Sequence, residues 1–148
     1  MYTKWHDRFL RLATEVSTWS RDPGTKVGCI IVDPLNRVVS LGFNGFPHGI
    51  SDDTLRLQDR ETKLRMTIHA EENALLFAKR DVAGYTAYVT HHPCSNCAAK
   101  LIQSGIGRVV YKQDEVFESK WADSIALAKA LFFECSVEVI DMPDRSSL

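Results

Sequence analysis

Two short stretches of this chain hold side chains able to bind a metal and move protons: His69-Ala70-Glu71 and, further along, Pro93-Cys94-Ser95-Asn96-Cys97. Zinc in a hydrolytic site takes three protein ligands and leaves a fourth position for water. One imidazole, His69, and two thiolates, Cys94 and Cys97, make up such a set. The C-x-x-C spacing places both sulfurs on one face of the first turn of a helix, where they can grip a single ion. Pro93 suits a helix start, because its fixed φ and missing N–H cost little there. The exposed N–H groups of a helix N-terminus favour the thiolate, which is the form that binds zinc. His69 likewise opens a run to Ala78 that reads as helix. Glu71, two positions on, points away from the direction of His69 and can face the fourth ligand as an acid and base. The chemistry of this set is metal-assisted hydrolysis.

Each half of the pattern also has a blander meaning. C-x-x-C occurs in structural zinc sites and redox motifs, and H-x-E arises by chance in helices. The order of the two, the proline before the first cysteine and the strand-like Thr86-Ala87-Tyr88-Val89-Thr90 leading in favour the catalytic reading. A closed structural site needs a fourth protein ligand. His91, His92, Cys29 and Cys135 are the obvious donors, and none has motif spacing to the others.

Composition sets the frame. With 148 residues the chain fits one domain, expected over 1–141 with a flexible tail over 142–148. A hydrophobic content of 45% with 25% charged residues is that of a soluble globular protein. The net charge of −1 offers no footprint for a nucleic-acid backbone, so a small substrate is expected rather than long DNA or RNA. Four irregularly spaced cysteines, two of them assigned to zinc, argue for a reducing compartment. Cys29 reads as a core residue and Cys135 as inert. The start, Met1-Tyr2-Thr3-Lys4-Trp5, does not read as a signal peptide and no apolar run reaches membrane-spanning length. The expected location is the cytoplasm, or the host cytoplasm for a viral chain.

The elements that must position the ligands follow from periodicity. Trp5, Phe9, Leu12, Val16 and Trp19 fall at steps of four and three, which predicts one buried face of a first helix ended by Asp22-Pro23-Gly24. Val27 to Val32 reads as a buried strand, Asp33-Pro34-Leu35-Asn36 as a turn, and Arg37 to Gly42 as the returning strand of a hairpin. A long polar segment, 44–66, has the length of a functional loop or lid. Then come a helix from His69 to about Arg80, a strand around Tyr88, a helix from Ser95 to Ser104 stopped by Gly105, and a strand from Arg108 to Tyr111. Trp121, Ile125, Ala128 and Phe132 mark a further helix, and Val137 to Ile140 a fifth strand. A hairpin followed by alternating helices and strands predicts a mixed five-stranded sheet with helices on both faces. The starts of the helices at His69 and Cys94 would follow neighbouring strands and meet at one sheet edge.

Over nearly its whole length the chain resembles the deoxycytidylate deaminases of the cytidine deaminase superfamily. The matching segments are Ser20-Arg21-Asp22-Pro23, Thr25-Lys26-Val27-Gly28, Gly42-Phe43-Asn44-Gly45-Phe46-Pro47, Ser51-Asp52-Asp53, His69-Ala70-Glu71, Tyr88 through Cys94, Ser104-Gly105-Ile106 and Val110-Tyr111. The metal motif is common to the superfamily and does not select a substrate. Transfer-RNA adenosine deaminases and riboflavin-pathway deaminases usually carry Leu-Glu before the Pro-Cys, where this chain has His91-His92, and lack the Ser-Asp-Asp. The resemblance implies a three-layer α/β/α cytidine-deaminase-like fold, one catalytic Zn²⁺ per subunit, and hydrolysis of dCMP to dUMP with release of ammonia, a step toward thymidylate. It gives Glu71 the proton transfers and His69, Cys94 and Cys97 the metal.

The resemblance also implies further roles. Asn44 faces the base or sugar, its amide offering a donor and an acceptor, although asparagine is also at home in a turn such as Gly42-Phe43-Asn44-Gly45. Ala70 and His92 stand with the substrate, while His91 and His92 could equally pack behind the metal ligands. Arg21 and Lys26, with Ser20, are the candidate phosphate donors. Gly42, Phe43, Asn44 and Gly45 form the candidate region for a regulatory nucleotide, with dCTP activating and dTTP inhibiting, and with Mg²⁺ as its counter-ion. Phe43 replaces the family's usual tyrosine and lacks its hydroxyl. Relatives with a second, structural zinc place cysteines where this chain has Ile50 and Thr67-Ile68. Homo-oligomers, hexamers or dimers, are the family habit.

Three readings stay open on the sequence. The first is dCMP deamination, including variants that accept dCTP or 5-substituted dCMP. The second is deamination of free deoxycytidine or of a base within nucleic acid. The third is a zinc-stabilised binding module with no chemistry, in which Glu71 would be dispensable.

Overall fold

The structure is a computed structural model that describes residues 3–144. Helix α1, Lys4–Ser17, is capped by Thr3, whose side chain accepts from the His6 N–H. Strands β1, Gly28–Val32, and β2, Val38–Phe43, form the opening hairpin. Two short helices follow, α2, Thr54–Gln58, and α3, Arg60–Met66, before α4, Ala70–Ala78. The chain continues through β3, Thr86–Val89, α5, Ser95–Gln103, β4, Arg108–Lys112, α6, Glu115–Lys120, α7, Ala122–Glu134, and β5, Glu138–Met142.

Among the described residues the sheet has five strands in the order β2-β1-β3-β4-β5. β1 is antiparallel to both β2 and β3, whereas β3, β4 and β5 run parallel, so the sheet is mixed as expected. Strand residues alternate between the two faces. Cys29, Ile31, Ala87, Val89 and Val109 pack with Ala70 and Ala74 of α4, Ala98 and Leu101 of α5, and Ala128 and Phe132 of α7. Ile30, Val32, Tyr88 and Val110 pack on the other face with Phe9, Leu10, Ala13 and Val16 of α1. The result is the three-layer α/β/α arrangement.

The buried face of α1 differs from the predicted stripe. Its buried residues are His6, Phe9, Leu10, Ala13, Val16 and Ser17, while Trp5, Leu12 and Trp19 are exposed and Trp19 lies beyond the helix. Close approach to the sheet explains the rotation: a Cβ on Gly28 would lie 2.0 Å from the Ala13 carbonyl oxygen, so small residues must face β1. His6 is accommodated by a 3.0 Å hydrogen bond between its Nδ1 and the Tyr88 hydroxyl. Trp5 stacks on Phe9 at the edge of this layer.

Three other expectations change. The 44–66 segment is loop over 44–53 and then helical in α2 and α3; Asp53 caps α2 by accepting from the Leu55 N–H, and neither helix contributes a buried residue. Met142, expected in the tail, is the last residue of β5 and is buried against the α1 face. Residues 145–148 of the expected tail lie outside the described residues. Helix α4 follows β2 through α2 and α3, and α5 follows β3; β1 lies between these strands, so the two ligand-bearing helices do not follow neighbouring strands. No helix among the described residues is long and apolar enough to cross a membrane.

Candidate active site

His69 and Cys94 each occupy the capping position of a helix. At α4 the entry is fixed by a bridge in which Gly45 N–H donates to the Ile68 carbonyl (3.1 Å) and Ile68 N–H donates back (2.8 Å). The extended residue His69 then starts the helix, its carbonyl accepting from Asn73 N–H. Helix α4 is held to β2 by Asn73 Nδ2 donating to the Phe43 carbonyl (2.8 Å) and by Ser40 Oγ donating to the Ala74 carbonyl (2.7 Å). Gly42 is needed at this contact, since a Cβ there would lie 2.5 Å from both the Ala70 oxygen and the Ala74 nitrogen.

At α5 the free N–H groups of the first turn find side-chain acceptors. Ser95 N–H donates to Ser124 Oγ of α7 (2.9 Å), and Cys97 N–H donates to the Cys94 sulfur (3.4 Å). The two helix starts bring His69 Nδ1 within 3.6 Å of Cys94 Sγ and 3.3 Å of Cys97 Sγ. All three ligand atoms lie within 4.8 Å of one another. One imidazole nitrogen and two sulfurs so gathered fit a zinc ion with a fourth position left over.

The protonation of the cluster follows from its contacts. The Cys97 thiol donates toward Cys94, and that bond, opposed by burial and aided by the His69 bond and the Cys97 N–H, lowers the Cys94 pKa to about 4. The same bond and burial push Cys97 strongly upward, so the metal-free pair shares one proton. The hydrogen bond to Cys94 raises the His69 pKa. Metal binding releases these protons. Glu71 is 5% exposed, and burial raises its carboxyl to about 7. That value suits a group which must both take and give a proton near neutral pH.

His69, Glu71 and Cys94 stand in the wall of a cavity of about 370 Å³, within the range of small-molecule sites, and Cys97 is buried behind it. His69 and Cys94 of the ligand cluster line it beside Ala70 and Glu71, while Val27, Phe117, Trp121 and Ile125 supply apolar wall. Asn44 also lines the cavity, but its amide is used by the neighbouring loop. Oδ1 accepts from Val27 N–H (2.9 Å), and Nδ2 donates to the Thr25 carbonyl (2.9 Å) and to Asp22 Oδ2 (3.4 Å).

His92 contributes to the wall while being 2% exposed, its ring edge-on to Tyr111. Burial lowers its pKa, and its Nδ1 lies 2.8 Å from the Pro93 carbonyl, which requires the proton on Nδ1. Its Nε2 has no hydrogen-bond partner among the described residues. His91 lies between the Thr90 hydroxyl (3.1 Å) and Asp114 (3.4 Å) and packs on Phe117.

Ser20, Arg21 and Lys26 do not line the cavity. Ser20 Oγ donates to the Asn44 carbonyl (2.7 Å), and Lys26 Nζ donates to the carbonyls of Ser20 (2.6 Å) and Asp22 (2.8 Å), so both hold the loop together. Arg21 is exposed. The cations that do line the cavity are Arg60, Lys63 and Lys120. Sequence alone does not single them out, because they lie in segments without apolar periodicity and a lone lysine or arginine carries no motif. Phe117 and Trp121 escape notice as wall residues because an aromatic near a helical stripe reads first as core. Cys29 is fully buried and Cys135 is exposed.

Residues 3–113 match the family described as the cytidine and deoxycytidylate deaminase zinc-binding region. The chain is 49% identical over 144 residues to the "uncharacterized deaminase in luxG 3′ region" of Aliivibrio fischeri, with 97% of each chain covered. It is 36% identical over 137 residues to the deoxycytidylate deaminase of Homo sapiens, covering 88% of this chain and 75% of the human one. Among solved structures, the dCMP deaminase of cyanophage S-TIM5 in complex with dCMP and dUMP superposes with a TM-score of 0.76 at 26% identity, covering 96% of this chain and 99% of that one. Similarity of that extent runs through both ligand-bearing helices, and the chain belongs to the cytidine and deoxycytidylate deaminase family.

Proposed function

We propose that this protein is a zinc-dependent deoxycytidylate deaminase that hydrolyses the 4-amino group of dCMP to give dUMP and ammonia. The observation that carries the reading is the gathering of His69, Cys94 and Cys97 into one ligand cluster, with His69, Cys94 and the buried carboxyl of Glu71 in the wall of one cavity. The relatives named for dCMP, and a solved relative holding dCMP and dUMP, support the choice of substrate.

When held by His69 Nδ1 and the two sulfurs, Zn²⁺ supplies a Lewis acid that makes water a nucleophile near neutral pH. Glu71 accepts a proton from the attacking water and delivers it to N3 of the cytosine ring as the water oxygen bonds to C4. It then carries the second proton to the amino group, the C4–N bond breaks and ammonia leaves. Burial keeps the carboxyl near the pKa at which both transfers are accessible. Phe117, Trp121 and Ile125 offer the apolar surface against which a base can pack. Asn44 supports the wall by fixing the 22–27 loop, and its Oδ1 keeps a lone pair for a ligand.

A polynucleotide substrate receives no support from the net charge of −1. Turnover of dCMP, dCTP, 5-methyl-dCMP, deoxycytidine and a cytosine-containing oligonucleotide, compared on the zinc-loaded protein, tests the reading. Clear preference for dCMP supports it. Equal turnover of deoxycytidine, or turnover of the oligonucleotide alone, contradicts it. Addition of dCTP or dTTP with Mg²⁺ to the same assay tests the regulatory expectation at Gly42-Phe43-Asn44-Gly45. Sedimentation of the protein tests a homo-oligomer, hexamer or dimer. A cytoplasmic location fits a reaction on free nucleotides and is tested by fractionation of the source cell.

A further inference from the structure

The 5′-phosphate of a nucleotide needs cationic donors, and the residues that the sequence suggests for it, Ser20, Arg21 and Lys26, lie outside the cavity wall. Arg60 and Lys63 of α3 do line it, and their three-residue spacing puts them on one helix face. The Lys63 side chain is 21% exposed, and its Nζ lies 3.0 Å from Asp22 Oδ1. Asp22 is fixed in turn. Its Oδ1 also accepts from Gly24 N–H (2.7 Å), and its Oδ2 accepts from Asn44 Nδ2 (3.4 Å). An ammonium group has three donors, so the Lys63–Asp22 bond leaves two for a ligand. Arg60 is exposed at the cavity rim, and its guanidinium has no hydrogen-bond or ion-pair partner among the described residues.

We propose that Lys63 and Arg60 are the specificity-determining contacts for the 5′-phosphate, and that Asp22 is a positioning residue that holds Lys63 at the cavity wall. The proposal rests on the reading that the substrate is a deoxynucleoside monophosphate. It also gives the 44–66 segment a purpose, since α3 has no buried residue of its own and a phosphate bound by its cations would tie it to the substrate. Arginine can meet a phosphate with two parallel N–H bonds, whereas lysine acts as a point charge that needs to be held in place. Asp22 supplies that hold, and the Asn44 amide links it to the site.

The test compares kcat/KM for dCMP and for deoxycytidine in the wild type and in Lys63→Gln, Lys63→Arg, Arg60→Gln, Asp22→Asn and the double variant Asp22→Asn/Lys63→Gln. Calorimetric titration with dUMP and deoxyuridine reads binding alone. Loss of one charge-assisted contact is expected to lower the dCMP-to-deoxycytidine ratio by about tenfold or more, through KM, in Lys63→Gln and in Arg60→Gln. Lys63→Arg should recover most of it. Asp22→Asn should give a smaller loss of the same kind, and the double variant should be no worse than Lys63→Gln alone. An unchanged ratio in Lys63→Gln and Arg60→Gln overturns the phosphate contacts. Additive losses in the double variant overturn the positioning role of Asp22. A wild type that turns over no dCMP and binds no dUMP refutes the underlying substrate reading instead, which separates the two failures. Thermal melts confirm that each variant folds.

Discussion

The sulfur of Cys97 lies 3.3 Å from Nδ1 of His69, although the two residues belong to different helix starts and stand 28 positions apart in the chain. Nothing local to either helix produces that contact. It arises because β2 and β3 both pair with β1, which sets α4 and α5 side by side on one face of the sheet.

The first prediction concerns the metal. One zinc per chain is expected by elemental analysis, and Cys97→Ala should retain less than about a tenth of it at equal free zinc, since two remaining ligands cannot close the site. Chelation should lower both activity and melting temperature, and added zinc should restore both, because a ligand that binds the folded state alone stabilises it. Full zinc content in Cys97→Ala would contradict the ligand assignment.

The ligands are legible in the sequence because each is bound to a local device. His69 and Cys94 stand where helices begin, and Glu71 and Cys97 follow at fixed steps. Strand β1 is legible for a similar reason, since Cys29-Ile30-Ile31-Val32 faces helices on both sides and stays apolar throughout. The face of α1 is not, because its packing is governed by the close approach of Ala13 to Gly28, a contact between distant segments. The cations of the cavity wall are hidden too. Lys63 differs from any surface lysine only through Asp22, 41 positions away.

Gly42→Ala tests the seating of α4. The added methyl would stand 2.5 Å from backbone atoms of Ala70 and Ala74, so the helix must move. Overpacking of this kind costs about 1–3 kcal/mol. Because His69 and Glu71 sit at the start of α4, the variant should lose activity along with stability, read by thermal melting and turnover on the same samples. Wild-type values for both would show that β2 and α4 are not in such close contact.

His6 predicts a dependence of stability on pH. Burial, aided by Arg108 and opposed by Glu138 and Asp7, lowers its pKa below the ordinary 6.5. The folded protein therefore resists protonation of this ring more than the unfolded chain does. Its contribution is complete above pH 6.5 and is lost as the pH falls from there through the lowered folded value. Denaturant unfolding at about pH 7.5 and about pH 5.5, above and below the ordinary value, should show a smaller acid loss in His6→Gln than in the wild type, although the variant starts less stable through its altered bond to Tyr88. An identical acid loss in both would mean that His6 does not set the pH dependence.

Whether the buried carboxyl moves the protons is decided by the turnover of dCMP in wild type and Glu71→Gln, with zinc measured in the same preparations. Glutamine keeps the shape of the side chain and cannot carry the proton. The expected result is a fall in kcat of about 100-fold or more, in line with removal of a general acid and base, at unchanged zinc content. Turnover within a few-fold of wild type in the zinc-loaded variant would contradict it, since Glu71 would then have no part in the chemistry.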